Sequence, residues 1–193
     1  MTIKKYDVRL LTHDEYELYF SYMTEEKQRR ILAMRSENDR RRSVAADMLM
    51  RRTLSALTSL AERDIVISSE ESGRPAAPGL PFYLSVSHSA DVAVCAVSER
   101  RIGIDTEKIR PVSTSLALRF FDEDDREYVF SHGAQPKKLE SDISVLERFF
   151  RVWTSREAYA KYTGAGLADI RAVFDRERIT HLDFDGYALS VFE

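Results

Sequence analysis

With 193 residues, the chain is long enough for one sizeable globular unit or for two small halves sharing a core. A composition of 44% hydrophobic and 32% charged residues excludes disordered and fibrous classes, and the apolar runs are too short to cross a bilayer. The opening residues lack the apolar core of a signal peptide, and the single cysteine, Cys95, rules out an internal disulfide, so a cytoplasmic protein is expected.

The net charge of −3 conceals a local excess of positive charge. Between Lys27 and Arg52 there are nine basic residues (Lys27, Arg29, Arg30, Arg35, Arg40, Arg41, Arg42, Arg51, Arg52) and only three acids. Such a block points either to a polyanion or acidic partner, or to a solvated helix with ordinary ion pairs.

In chain order, Tyr6 to Leu11 reads as an extended start and residues 12–33 as one or two short helices. Ser36 and Asn38 are candidate caps for a longer helix reaching about Leu60, whose inner face carries Val44, Met48, Leu49, Leu57 and Leu60. Ile65 to Ile67 reads as a short strand, and Glu71 to Gly79 as a turn-rich loop. Strands are expected over Tyr83 to Ser87, Val92 to Val97 and Arg101 to Glu107, the first two forming a hairpin. Cys95 lies in the second of these, where a buried structural thiol is the natural reading. Leu116 to Phe121 and Glu123 to Phe130 look like short helices, with Asp122 as a cap, and His132 to Ser141 like a mobile loop. A long helix from Ile143 to Tyr162 should stop at Gly164 and Gly166. The chain closes on Thr180 to Phe184 and Tyr187 to Val191, joined by the hairpin signal Asp185-Gly186. Helices followed by antiparallel strands in each half predict an α+β fold of two similar subdomains, residues 1–100 and 101–193.

Three constellations carry chemistry. Alternation along a strand puts Asp105 and Glu107 on one face, with Ile102 and Ile104 on the other. Two close carboxylates repel unless a proton or a cation lies between them, and a hard ion such as Mg²⁺ would satisfy both. On the long C-terminal helix, Trp153, Glu157 and Lys161 are spaced i, i+4, i+8 and form one stripe. The plain reading is a Glu–Lys pair beside a core tryptophan; the chemical one is a third carboxylate and a phosphate-binding lysine. Finally, Ser87 and His88 end a strand. As neighbours on opposite faces they are a poor nucleophilic dyad, and His88 with Arg74 and Arg42 suits a terminal phosphate better. No Walker or Gly-x-Gly-x-x-Gly loop is present.

Together these pieces resemble the Sfp-type 4′-phosphopantetheinyl transferase family. The resemblance rests on Gly73-Arg74-Pro75, Ser85 to Ser89, Ile102 to Glu107, Trp153 to Glu157 with Lys161, and Gly164 to Leu167. Lys27, Arg30, Arg42 and Ser43 fall in register on the basic stretch. It implies a pseudo-dimer of two α/β halves, with the active site in the cleft between them. It also implies coenzyme A as co-substrate, an apo acyl or peptidyl carrier protein as partner, and release of 3′,5′-ADP. Asp105, Glu107 and Glu157 match the Mg²⁺ carboxylates (Mn²⁺ is the alternative ion), with Glu157 and Lys161 as catalytic residues. Lys161 also matches a coenzyme A phosphate contact. Arg42, Ser43, Arg74, Ser87 and His88 match the 3′-phosphate and adenine end, and Lys27 and Arg30 match further coenzyme contacts. The N-terminal subdomain would thus hold the adenine side, and the C-terminal one the metal. Ser85, Thr106 and Arg156 depart from the family's usual asparagine, aliphatic residue and lysine.

The rival readings are a Mg²⁺-dependent nucleotide phosphohydrolase and a non-catalytic coenzyme A or carrier-binding module. Nucleic acid fits poorly, because the chain is acidic overall and the arginine-rich helix lacks interleaved aromatics. No membrane partner is expected, and a pseudo-dimeric chain has little need of a second copy, so a monomer is expected.

Overall fold

A computed structural model of the protein describes residues 1–130, 142–166 and 170–193. The fold is α+β and the chain divides into two units, Met1–Gly103 and Ile104–Glu193.

The first unit starts with strand β1 (Thr2–Asp7), then helices α1 (His13–Ser21), α2 (Glu25–Leu32) and α3 (Glu37–Thr58). Strands β2 (Ser68–Ser69), β3 (Pro75–Ala76), β4 (Tyr83–Ser89) and β5 (Val92–Ser98) follow. They form an antiparallel sheet in the order β1-β5-β4-β3-β2. Each helix begins at a side-chain cap. Thr12 and Glu15 form a reciprocal capping box for α1, and Thr24 and Ser36 accept from the third residues of α2 and α3. The core forms where Val44, Ala45, Met48 and Leu54 of α3 meet Leu84 of β4 and Ala93, Cys95 and Val97 of β5. Burial pushes the Cys95 thiol well above its ordinary range, so it stays protonated and packs as an apolar group.

Several expected elements shift: α3 ends at Thr58, with Leu57 and Leu60 exposed and not on its inner face, and the strand expected over Thr180 to Phe184 covers Ile179–His181. The extended start is Thr2–Asp7 rather than Tyr6 to Leu11. Asp7 caps a 3₁₀ turn over Val8–Leu10 by accepting from the Arg9 N–H at 3.0 Å, and Arg41 donates to the Val8 and Leu11 carbonyls. Ile65 to Ile67 is not a strand. Ile65 and Ile67 are buried, but Arg51 Nη1 takes the Ile65 carbonyl, and strand pairing begins only at Ser68.

The second unit opens on β6 (Gly103–Lys108), which leads to α4 (Thr114–Phe120), α5 (Glu123–Val129), α6 (Ile143–Thr163), β7 (Ile179–His181) and β8 (Tyr187–Phe192). The sheet order is β6-β8-β7. Asp122 caps α5, and α6 stops where Gly164 turns left-handed at φ 84°. Asp185 and Gly186, both at positive φ, make the β7–β8 turn. Phe149, Phe150, Val145 and Leu146 of α6 pack with Phe121, Val129 and Ala188, and Trp153 stacks on Phe149 at the margin of this cluster. The expected loop from His132 to Ser141, and Leu167, lie outside the described residues.

Candidate active site

Strand β6 and helix α6 bring the predicted acidic groups together. Asp105 is buried and Glu107 half-buried on one face of β6, while Ile104 and Thr106 point the other way. Thr106 donates its hydroxyl to the Ala188 carbonyl at 3.0 Å. The hydroxyl that departs from the family pattern therefore ties β6 to β8 and is not a ligand. From α6, Glu157 is close enough to both strand carboxylates to feel their charge. Its carboxyl is pushed above the ordinary 4.5, first by burial, then by Asp105 and by Glu107, with Lys161 opposing. Lys161 Nζ donates to Asp105 Oδ1 at 2.7 Å. Trp153, the third member of the stripe, belongs to the aromatic cluster, so for that residue the plain reading holds.

Among the described residues, no three carboxylate, imidazole or thiol groups are already closed around a point where a metal ion would sit. The donor set nonetheless fits a hard cation. Asp105 and Glu107 raise the proton affinity of Glu157, and a divalent ion held among the three carboxylates would relieve that repulsion. In this structure the Lys161 ammonium supplies part of that neutralisation.

The neighbouring Arg156 stands where the family usually has lysine. It is 1% exposed, donates to the carboxylates of Asp122 and Asp125, and gives Nη1 to the Ile170 carbonyl at 2.8 Å. Sequence reasoning missed this cluster. Its trace was the pair Asp122 and Asp125 at an N-cap and its third helical position, a spacing that reads first as plain capping.

In the first unit, α3 and the β4–β5 turn bring together part of the set expected to meet a phosphate. Arg42 donates Nη1 to the Ala90 carbonyl at 3.0 Å and Nη2 to Asp39. His88 shares the α3-facing side of β4 with Leu84 and Val86, at the end of the strand. The Asp39 carboxyl is held low, chiefly by the Arg42 hydrogen bond, and His88 is near enough to add to that effect. Asp39 is the second residue that sequence reasoning passed over, although its i, i+3 spacing to Arg42 marked it. Ser43 turns its hydroxyl to Met34 Sδ at 3.6 Å. Ser87 is buried on the opposite face of β4 from His88, beside Ser85. Arg74, also buried, lines a groove of about 320 Å³ walled by Pro75, Pro78, Pro81 and Phe82, with Glu70 also on its wall.

The basic stretch is less available than its charge count implied. Lys27 donates to Asp47 at 2.6 Å, and Arg51 donates to the other oxygen of that buried carboxylate. Arg40 and Arg41 bond backbone carbonyls, and Arg52 pairs with Glu15 and Tyr19. Arg29, Arg30 and Arg35 are exposed. Only that smaller group keeps the character of a solvent-facing cationic surface.

A family model described as the 4′-phosphopantetheinyl transferase superfamily matches residues 101–192, and one described as 4′-phosphopantetheinyl transferase, N-terminal, matches residues 11–100. The chain is 31% identical over 161 residues to the 4′-phosphopantetheinyl transferase Sfp of Bacillus subtilis (strain 168), covering 83% of this chain and 68% of that protein. It is 38% identical over 143 residues to HetI of Nostoc sp. and 34% over 138 residues to AcpT of Escherichia coli (strain K12). Those alignments cover 69% of this chain in each case, and 56% and 63% of the two relatives. The chain belongs to the 4′-phosphopantetheinyl transferase superfamily and is a transferase.

Proposed function

We propose that the protein transfers the 4′-phosphopantetheine arm of coenzyme A to a serine of an apo acyl or peptidyl carrier protein, releasing 3′,5′-ADP. The observation that carries this reading is the convergence of Glu157 with Asp105, Glu107 and Lys161 in a protein of this superfamily. Asp105, Glu107 and Glu157 would hold Mg²⁺ or Mn²⁺. When bound, such an ion offsets the negative charge of the pyrophosphate during displacement.

The remaining chemistry is assigned to the chain's own side chains. The carrier serine oxygen forms a bond to the phosphorus next to pantetheine, while the bond from that phosphorus to the 3′,5′-ADP oxygen breaks. Glu157, on the helix face that meets the strand carboxylates, takes the serine proton. Lys161 turns from Asp105 to the leaving phosphate and stabilises its charge. Residues of the first unit hold the other end of coenzyme A. Arg42 and His88 serve the 3′-phosphate with Ser43 beside them, and Arg74 and Ser87 serve the adenine side next to the proline-walled groove. Lys27 supports this end through Asp47 unless it changes partner, and exposed Arg30 remains open to a direct phosphate contact. On this reading residues 1–100 form the coenzyme-binding half, and residues 101–193 the metal and catalytic half.

The test is intact mass spectrometry of apo carrier proteins incubated with the protein, coenzyme A and Mg²⁺, with a chelator control. The expected result is a metal-dependent gain of one phosphopantetheine together with 3′,5′-ADP. Hydrolysis of coenzyme A without carrier modification would instead support the phosphohydrolase reading, and tight coenzyme A binding with no reaction the binding-module reading.

A further inference from the structure

Residue 156 immediately precedes the candidate general base on α6, and its guanidinium is almost wholly enclosed. Three separate pieces of the second unit meet on it. Asp122 is the N-cap of α5, Asp125 lies one turn inside α5, and the Ile170 carbonyl belongs to the segment that follows α6. Arg176 adds a second guanidinium from further along that segment, 2.8 Å from Asp125 Oδ1. The cluster is thus two arginines against two aspartates, balanced in charge and closed to solvent on the Arg156 side. Phe174 lies under the Arg156 guanidinium and stacks on Tyr159, which is also on α6. An arginine suits this place because its rigid fork can serve two carboxylates and a carbonyl at once, whereas the single ammonium of a lysine cannot span them.

Resting on the reading above, we propose that Arg156 is a positioning residue for the transfer reaction. By locking α6 to α5 and to the segment 170–176, it fixes where Glu157 presents its carboxylate and Lys161 its ammonium. The residue touches no reacting atom. Its influence runs through the helix that carries both groups, and small displacements of such groups are costly to rate.

The experiment compares Arg156→Lys and Arg156→Met with Arg176→Gln, which removes the outer guanidinium and leaves every Arg156 bond in place. Steady-state transfer, calorimetric coenzyme A binding, thermal unfolding and amide hydrogen exchange are measured for each. In Arg156→Lys, assayed well below its melting temperature, kcat should fall by about ten- to a hundredfold, with KM and Kd for coenzyme A within about twofold of wild type. Exchange should quicken in α5 and across 157–163. Arg176→Gln should keep kcat and these exchange rates close to wild type. An Arg156→Lys protein that melts earlier but keeps full kcat and native exchange around Glu157 would reduce the residue to a stabilising role. A raised KM at constant kcat would make it a substrate contact. Both results overturn the proposal. If wild type itself transfers nothing, the functional reading fails, and unchanged exchange in Arg156→Lys would separately sink the positioning claim.

Discussion

The two long helices use the same device for different ends. Past its midpoint, α3 carries Arg51 and α6 carries Arg156, both 1% exposed. Arg51 bonds Asp47 one turn back on its own helix and the carbonyls of Tyr22, Glu62 and Ile65, so it gathers loops around the first unit's core. Arg156 bonds carboxylates from another helix and lies next to Glu157. A buried arginine is therefore no sign of chemistry by itself. What separates the two is the neighbour: no candidate acid or base flanks Arg51, whereas the proposed catalytic residues Glu157 and Lys161 lie beside and beyond Arg156 on α6.

The comparison breaks most decisively at the proposed catalytic residues. Glu157→Gln should lower transfer by about a hundred- to ten-thousandfold while leaving coenzyme A binding measurable by calorimetry. Next come the arginine hubs. Asp47→Ala leaves Arg51 and Lys27 without their buried carboxylate, and should cost about 3–5 kcal/mol in chemical denaturation without a specific loss of kcat in the fraction that remains folded. Arg42→Ala is expected to weaken coenzyme A binding by about 1.5–3 kcal/mol and dephospho-coenzyme A binding hardly at all, as read by calorimetry with both ligands.

A smaller effect concerns pH. The Glu157 carboxyl titrates above 4.5, so in the folded protein its proton is held to higher pH than in the unfolded chain. Its contribution to stability is present below the ordinary value and lost as pH rises through the elevated one. Carboxyl NMR titration of the metal-free protein should show the raised value, and Mg²⁺ should move it down. The mildest change is electrostatic steering: replacing Arg29, Arg30 and Arg35 together by alanine should slow carrier association several-fold at low salt. The difference should vanish at high salt.

Where local chemistry decides the structure, the sequence was legible. Ser36, Asp122, Gly164 and Asp185-Gly186 marked a cap, a cap, a stop and a turn, and each sits where its type dictates. Alternation along β6 gave the shared face of Asp105 and Glu107, and helical spacing gave the Glu157–Lys161 stripe. What escaped were long-range choices by arginines. The capture of the Ile65 carbonyl by Arg51 removed a strand that Ile65-Val66-Ile67 favours by propensity. The same kind of choice tied Lys27, Arg40, Arg41 and Arg52 to partners within the first unit, so fewer charges of the basic run are free for an outside partner. The carboxylate partners of Arg156 lie more than thirty residues away at the start of α5, where no spacing rule reaches.

The most direct measurement is the intact mass of one apo carrier protein after incubation with coenzyme A and Mg²⁺, run side by side with wild-type protein and Glu157→Gln. The account predicts one added phosphopantetheine with wild type and none with the variant over the same time. A gain with both would remove Glu157 from the chemistry, and no gain with either, across carriers of each class and with coenzyme A bound, would contradict the transferase account.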